Sequence, residues 1–208
     1  MTSNWWRRNL PWLVVLLPLL ALAFAASSQR FVNYFMPWEH TAPQYADEQG
    51  VVEFHQEFKG IEIQHERDVT IRLLDVGQAD VVGAQKAAAG GQMWKVRVEM
   101  SAEPDVVLSP CEVALVADGK EYGFGAAVEP AEADGFAMPS LFPNCESPDS
   151  EGPSFGVFDD TVTMPAVPRP EKWEVEFGIV VPQGVEPEEF RMWWVTPEYA
   201  SFPIQKDR

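Results

Sequence analysis

Residues 173–181 read Trp-Glu-Val-Glu-Phe-Gly-Ile-Val-Val. Trp173, Val175, Phe177, Ile179 and Val181 fall on one side of an extended chain, with Glu174 and Glu176 on the other, the period of two that marks a half-buried strand. Residues 94–100 repeat the pattern, setting Trp94, Val96, Val98 and Met100 against Lys95, Arg97 and Glu99. Weaker runs of the same kind cover 52–58, 61–64, 69–74, 111–117, 190–195 and 199–204. Between these runs the chain is rich in turn formers, and no amphipathic stretch exceeds a helical turn or two. The fold expected is all-β, an antiparallel immunoglobulin-like β-sandwich spanning residues 51–208. Eighteen prolines and fourteen glycines in a chain that is still 46% apolar fit many short elements joined by turns, not disorder.

Upstream lies a stretch of different character. Residues 9–28 carry no charge, and 10–26 are almost wholly apolar. About 20 such residues suffice to cross a bilayer as a helix, because a helix satisfies its own backbone. Arg7 and Arg8 precede the run and no acid occurs before Glu39, so the positive-inside bias places residues 1–9 in the cytoplasm, a transmembrane anchor at 10–29, and the rest outside the cell membrane. Ala23-Phe24-Ala25 also fits a signal-peptide cleavage site. Trp5, Trp6 and Trp12 on one side, with Phe31, Tyr34, Phe35 and Trp38 on the other, resemble two interfacial aromatic belts and favour a retained signal-anchor. Residues 30–50 are expected to form a helix extension to about Met36, stopped by Pro37, and then a polar linker.

The chain carries 32 acidic against 15 basic residues, a net charge of -17. Such a surface repels phosphate backbones and disfavours nucleic acid as a partner. Cys111 and Cys145 are the two cysteines. Both fall in the exported part, where thiols oxidise, and a structural disulfide is the expectation. Residues 84–92 read as a small, flexible loop. Residues 128–170, rich in proline and acid, read as a long loop that the disulfide would tie to a strand start, so that reduction loosens the loop ahead of the sheet.

Trp5-Trp6-Arg7-Arg8-Asn9, the hydrophobic span ending Ala26-Ser27-Ser28-x-Arg30, and Pro37-Trp38-Glu39 resemble a group of uncharacterised single-pass membrane proteins of actinobacteria. Pro110-Cys111 with residues 113–119, and Phe190-Arg-Met-Trp-Trp followed by Pro197-x-Tyr199, extend the resemblance over most of the chain. More distantly, the Val181-Pro182-x-Gly184 step and the strand order resemble the extracellular immunoglobulin-like modules of domain-of-unknown-function class 4352. These resemblances imply an anchored, exported sandwich and carry no activity.

Four patterns hint at chemistry. Gly152-Pro153-Ser154-Phe155-Gly156 fits the Gly-x-Ser-x-Gly nucleophile elbow, but no helix pattern follows it, and His40, His55 and His65 all come too early in the chain for that fold. His55 and His65, flanked by Glu53, Glu57, Glu62 and Glu66, would make a divalent site only if both imidazoles reached one face, and His55 lies opposite Phe54 and Phe58. Gly123-Phe124-Gly125 lacks the third glycine of a dinucleotide fingerprint. Glu129, Glu132, Asp134, Glu146, Asp149, Glu151, Asp159 and Asp160 are rich in oxygen ligands, yet without the spacing of a calcium loop. The reading assigns no catalytic, cofactor or metal-ligating residues.

Neighbouring side chains on a strand alternate, so Trp193 and Trp194 face opposite ways. Phe190, Met192 and Trp194 form the core side. Trp193, beside Arg191 on the outer face, is either roofed by the 128–170 loop or is the anchor of an interface, a role in which Trp and Arg dominate. The expected function is a membrane-anchored extracytoplasmic interaction or accessory module without catalytic activity, with an unknown protein partner at the cell surface. The alternative is a sensor domain for a cation or a cell-wall ligand.

Overall fold

The computed structural model describes residues 39–131, 140, 142–156 and 158–204, with 9, 10, 12, 14, 16–20 and 22–24 of the N-terminal stretch. The chain divides into two compact units, Met1–Glu39 and His40–Arg208. In the first, the described residues up to Phe24 are helical, Glu39 lies in a bend, and all but half-buried Asn9 are exposed. No helix among the described residues is long and apolar enough to cross a membrane. Much of the expected 10–29 span, the 30–36 helix extension and the second aromatic belt lie outside the described residues.

The second unit is built from strands: β1 (Ala42–Tyr45), β2 (Val51–Lys59), β3 (Gln64–Ala79), β4 (Val81–Val82), β5 (Gln85–Ala87), β6 (Gly91–Ser101), β7 (Glu112–Ala117), β8 (Lys120–Gly123), β9 (Val128–Pro130), β10 (Ser154–Phe155), β11 (Val162–Thr163), β12 (Lys172–Pro182), β13 (Glu189–Trp193) and β14 (Glu198–Pro203). One sheet runs β12-β6-β3-β2 and another β1-β14-β13-β7-β8. Their apolar faces share one core, to which Phe54, Ile71, Val98 and Phe177 contribute from the first sheet and Leu115, Phe190, Met192 and Phe202 from the second. Phe177 and Phe190 meet across it with ring centroids 6.3 Å apart.

The strongest alternation in the sequence forms the longest ladder, where β12 pairs antiparallel with β6 from Lys172↔Ser101 to Pro182↔Gly91. Past Phe177 the alternation stops and Gly178, Ile179, Val180 and Val181 are all buried. A third sheet, β4-β5-β9, accounts for this. Val82 packs with Met93 and Val180 in a second small core, and a Cβ on Gly178 would sit 2.9 Å from Val82.

Three expectations need correction. The sandwich begins at Ala42, not 51: β1 lies parallel to β14, Ala42 opposite Glu198, so the sheet is not purely antiparallel. This strand bears Pro43, tolerated at an edge where no ladder donor is required, and it lacks the alternation that marks other strands. Residues 61–63 form a turn, and β3 is one 16-residue strand with an irregularity between Leu73 and Asp75. Finally, 84–92 and 128–170 are not plain loops, since β5 pairs with β9 and β10 with β11.

Cys111 and Cys145 are joined, with Cα atoms 6.2 Å apart. The bridge is buried in the main core. Beside it the Trp173 indole donates to the Cys145 carbonyl at 3.0 Å. The antibody-type bridge joins a strand of each sheet; this one joins the start of β7 to the 128–170 segment.

Candidate functional site

The turn between β2 and β3 and the hairpin β10–β11 meet at Asp160. Its carboxylate accepts from the amides of Ile61 at 2.8 Å, Glu62 at 2.6 Å and Ile63 at 2.9 Å. His65 Nε2 lies 3.4 Å away. Three amide donors favour the ionised form, so Asp160 is held well below the usual carboxylate range. Gly60 has no room for a side chain, because a Cβ there would collide with Asp160 and His65. Aromatic packing completes the clamp, His65 lying between Phe58 at 5.4 Å and Phe155 at 4.6 Å.

This clamp holds apolar side chains in water. Phe158 is 90% exposed, Ile61 58%, Ile63 55% and Val162 40%. Beneath the tip, Arg67 is buried, with its guanidinium 4.4 Å from the Phe58 centroid and 5.3 Å from that of Trp194. Its Nε donates to the Val107 carbonyl at 3.0 Å and its Nη1 to Gln56 Oε1 at 2.8 Å. Burial pulls this guanidinium down to about 10.

On the outer face of β2 and β3, the register sets His55 opposite Asp68 and Glu57 opposite Glu66. His55 Nδ1 lies 2.8 Å from Asp68 Oδ1 and 3.8 Å from Glu66 Oε1. The hydrogen bond to Asp68 raises the His55 pKa. Alongside runs an open groove of about 590 Å³ whose lining includes Glu53, His55, Asp68, Thr70, Glu103 and Glu171. His65 takes the opposite face, beside Phe155 and opposite Phe58 in the register, so the two histidines do not meet on one face, the condition that the sequence set for a paired site.

Trp193 and Arg191 occupy the outer face of β13, as the alternation predicts, and Trp194 is buried with its indole donating to the Leu108 carbonyl at 2.7 Å. Trp193, however, is half-buried, and the ring packed on it is His40, centroids 4.2 Å apart, from the segment read as linker. Arg191 pairs with Glu189 at 2.7 Å and Glu121 at 3.3 Å, and its guanidinium lies over Tyr199. Both residues are half-buried and make contacts within the domain.

The remaining motifs disperse. Ser154 of the Gly-x-Ser-x-Gly pattern is exposed on a two-residue strand and no helix follows it. Of the acids along the long loop, Glu146 is buried against Arg169 Nη1 at 2.8 Å, Asp159 accepts from the Thr161 amide at 3.0 Å and Asp160 serves the clamp. Glu132 and Asp134 lie outside the described residues. Arg169, buried like its partner, also donates to the carbonyls of Glu103 and Val106. Sequence reasoning passed over the Asp160 clamp and the two buried arginines, because nothing local separates an acid or arginine that will be enclosed from a solvated one. No family model, curated protein or solved structure matches this chain.

Proposed function

We propose that the protein is a membrane-anchored, extracytoplasmic binding module without catalytic activity, and that the tip formed by Ile61, Ile63, Phe158 and Val162 is the surface it presents to a protein partner. The observation that carries this reading is the clamp: Asp160 fixes two hairpins so that four apolar side chains stay in water. Exposed apolar clusters of this kind mark contact sites, and rigidity lowers the cost of ordering them on binding. Glu62 and Asp159 flank the tip in a chain of net charge -17, so the complementary partner has an apolar centre and a basic rim.

The uncharged segment 9–28 and the buried disulfide support an anchor in the cell membrane with the sandwich outside, N-terminus cytoplasmic. An immunoglobulin-like sandwich and the single-pass actinobacterial resemblance agree with that arrangement. A photo-crosslinking residue at position 158, carried on the protein in its native membrane, tests the tip. The expected result is a discrete adduct that is absent with the probe at Val81, an exposed apolar position on a different sheet. Ile61→Ser with Phe158→Ser should abolish the association while leaving the thermal midpoint unchanged. Identical adducts from both positions, or an association indifferent to the double substitution, would overturn the proposal.

A further inference from the structure

We propose that His55, Asp68 and Glu66 form a binding site for a divalent first-row transition ion of the zinc type, on the outer face of β2 and β3 and separate from the apolar tip.

One nitrogen and two carboxylate oxygens are brought together by register, not by chance proximity of loops. His55 and Asp68 are direct cross-strand partners, and Glu66 stands on the same face one pair along. The three ligand atoms all lie within 4.8 Å of one another. Ligand bonds of about 2.0–2.2 Å around a tetrahedral ion require ligand atoms somewhat over 3 Å apart. The existing spacings of 2.8 and 3.8 Å bracket that value, so small side-chain rotations admit the ion and no backbone movement is needed.

The strand beneath is fixed. The Gln44 side chain bonds both backbone groups of His55, its Nε2 donating to the carbonyl at 2.6 Å and its Oε1 accepting from the amide at 3.0 Å. A ligand whose main chain is held from the neighbouring sheet loses little freedom on binding. The groove beside the cluster leaves the remaining coordination positions open to water or to a ligand's oxygen. An imidazole with two carboxylates suits zinc, copper or nickel better than calcium or magnesium, which prefer six or more oxygens. The negative surface raises the local concentration of any cation, and selectivity then rests on His55.

The test uses the full-length, tag-free protein in detergent micelles, titrated calorimetrically with Zn²⁺ and optically with Co²⁺. Imidazole resonances are followed by NMR. One equivalent per chain should saturate the site and move the His55 ring signals, leaving those of His40 and His65 in place. His55→Ala and Asp68→Asn should each weaken binding by about tenfold or more, without altering the thermal midpoint of the metal-free protein, since both side chains are exposed. Absence of saturation, unchanged affinity in His55→Ala, ring shifts confined to His40 or His65, or displacement by equimolar Ca²⁺ would each overturn the assignment. The tip variant Ile61→Ser with Phe158→Ser should bind zinc as the parent does, which keeps the two proposals separable.

Discussion

Removing the disulfide by Cys111→Ala with Cys145→Ala measures how far the 128–170 segment belongs to the core. The two residues are 34 apart in sequence, and in the chain-entropy treatment closing a loop of that length stabilises the fold by about 4 kcal/mol at 25 °C. That is a large share of the roughly 5–15 kcal/mol by which a domain is stable. With a urea dependence of about 2 kcal/mol per molar, the midpoint should fall by about 2 M. The surroundings of Cys145 decide the form of the transition. Its carbonyl accepts the Trp173 indole, the next residue is ion-paired with buried Arg169, and that arginine holds the carbonyls of Glu103 and Val106. Ungluing this segment exposes the core, so fluorescence and amide exchange in β6 and β12 should report one cooperative transition, not an early loosening of the loop as the sequence alone suggests. A midpoint shift worth less than about 1 kcal/mol would sink the loop-entropy argument, and a separate low-urea phase would show the segment to be peripheral after all.

Trp194→Ala should cost about 3–5 kcal/mol as a core truncation, and it also strips the Leu108 carbonyl of its indole donor; Trp193→Ala, half-buried beside the His40 ring, should cost about 1 kcal/mol by the same urea unfolding, and equal losses would show the strand phase to be wrong. Asp160→Ala should speed amide exchange at Ile61, Glu62 and Ile63 while leaving β6 protected, and unchanged exchange would mean that the carboxylate does not organise the turn. Because the folded-state pKa of Asp160 lies below its ordinary 3.8, its contribution is present above that value and is lost as pH falls toward the folded one; slowed exchange at Glu62 should disappear on acidification in the parent and be absent at every pH in the variant. Mass spectrometry of the mature protein should find residues 10–29 retained, and an N-terminus near Ala26 would mean a cleaved signal peptide.

The parts of this fold legible in the sequence are those where one face is wet. Glu174 and Glu176 alternate with Trp173, Val175 and Phe177 because the outer face of β12 meets water there. The same strand became unreadable at Val180, where β4 and β5 cover the other face and the chain reads as a plain apolar run. The strand β1 was missed because four residues including a proline carry no period. Phase proved more durable than boundaries: Trp194 in and Trp193 out follow from alternation alone, yet the partner of Trp193 could not, since His40 lies more than 150 residues away. The candidate sites fared likewise. That His55 faces outward was readable from Phe54 and Phe58, whereas its neighbours Asp68 and Glu66 depend on the β2–β3 register, which a turn at residues 60–63 sets and the sequence mistakes for a strand.

Gln44 has a meaning for crowding. Its carboxamide imitates a peptide unit at the outer edge of β2, and Asp47 does the same service at Val51, accepting from its amide at 2.9 Å through the side chain while donating from its own amide to the Val51 carbonyl at 2.9 Å. An incoming strand needs a run of free donors and acceptors, and here the run is interrupted twice within five residues. Edge-to-edge polymerisation is the hazard for any sheet with an open side, and it grows when molecules are confined to two dimensions. A protein tethered to a surface would meet its own copies far more often than one free in solution, and the Gln44 carboxamide and Asp47, each holding both backbone groups of one edge residue, let those encounters end without a shared sheet.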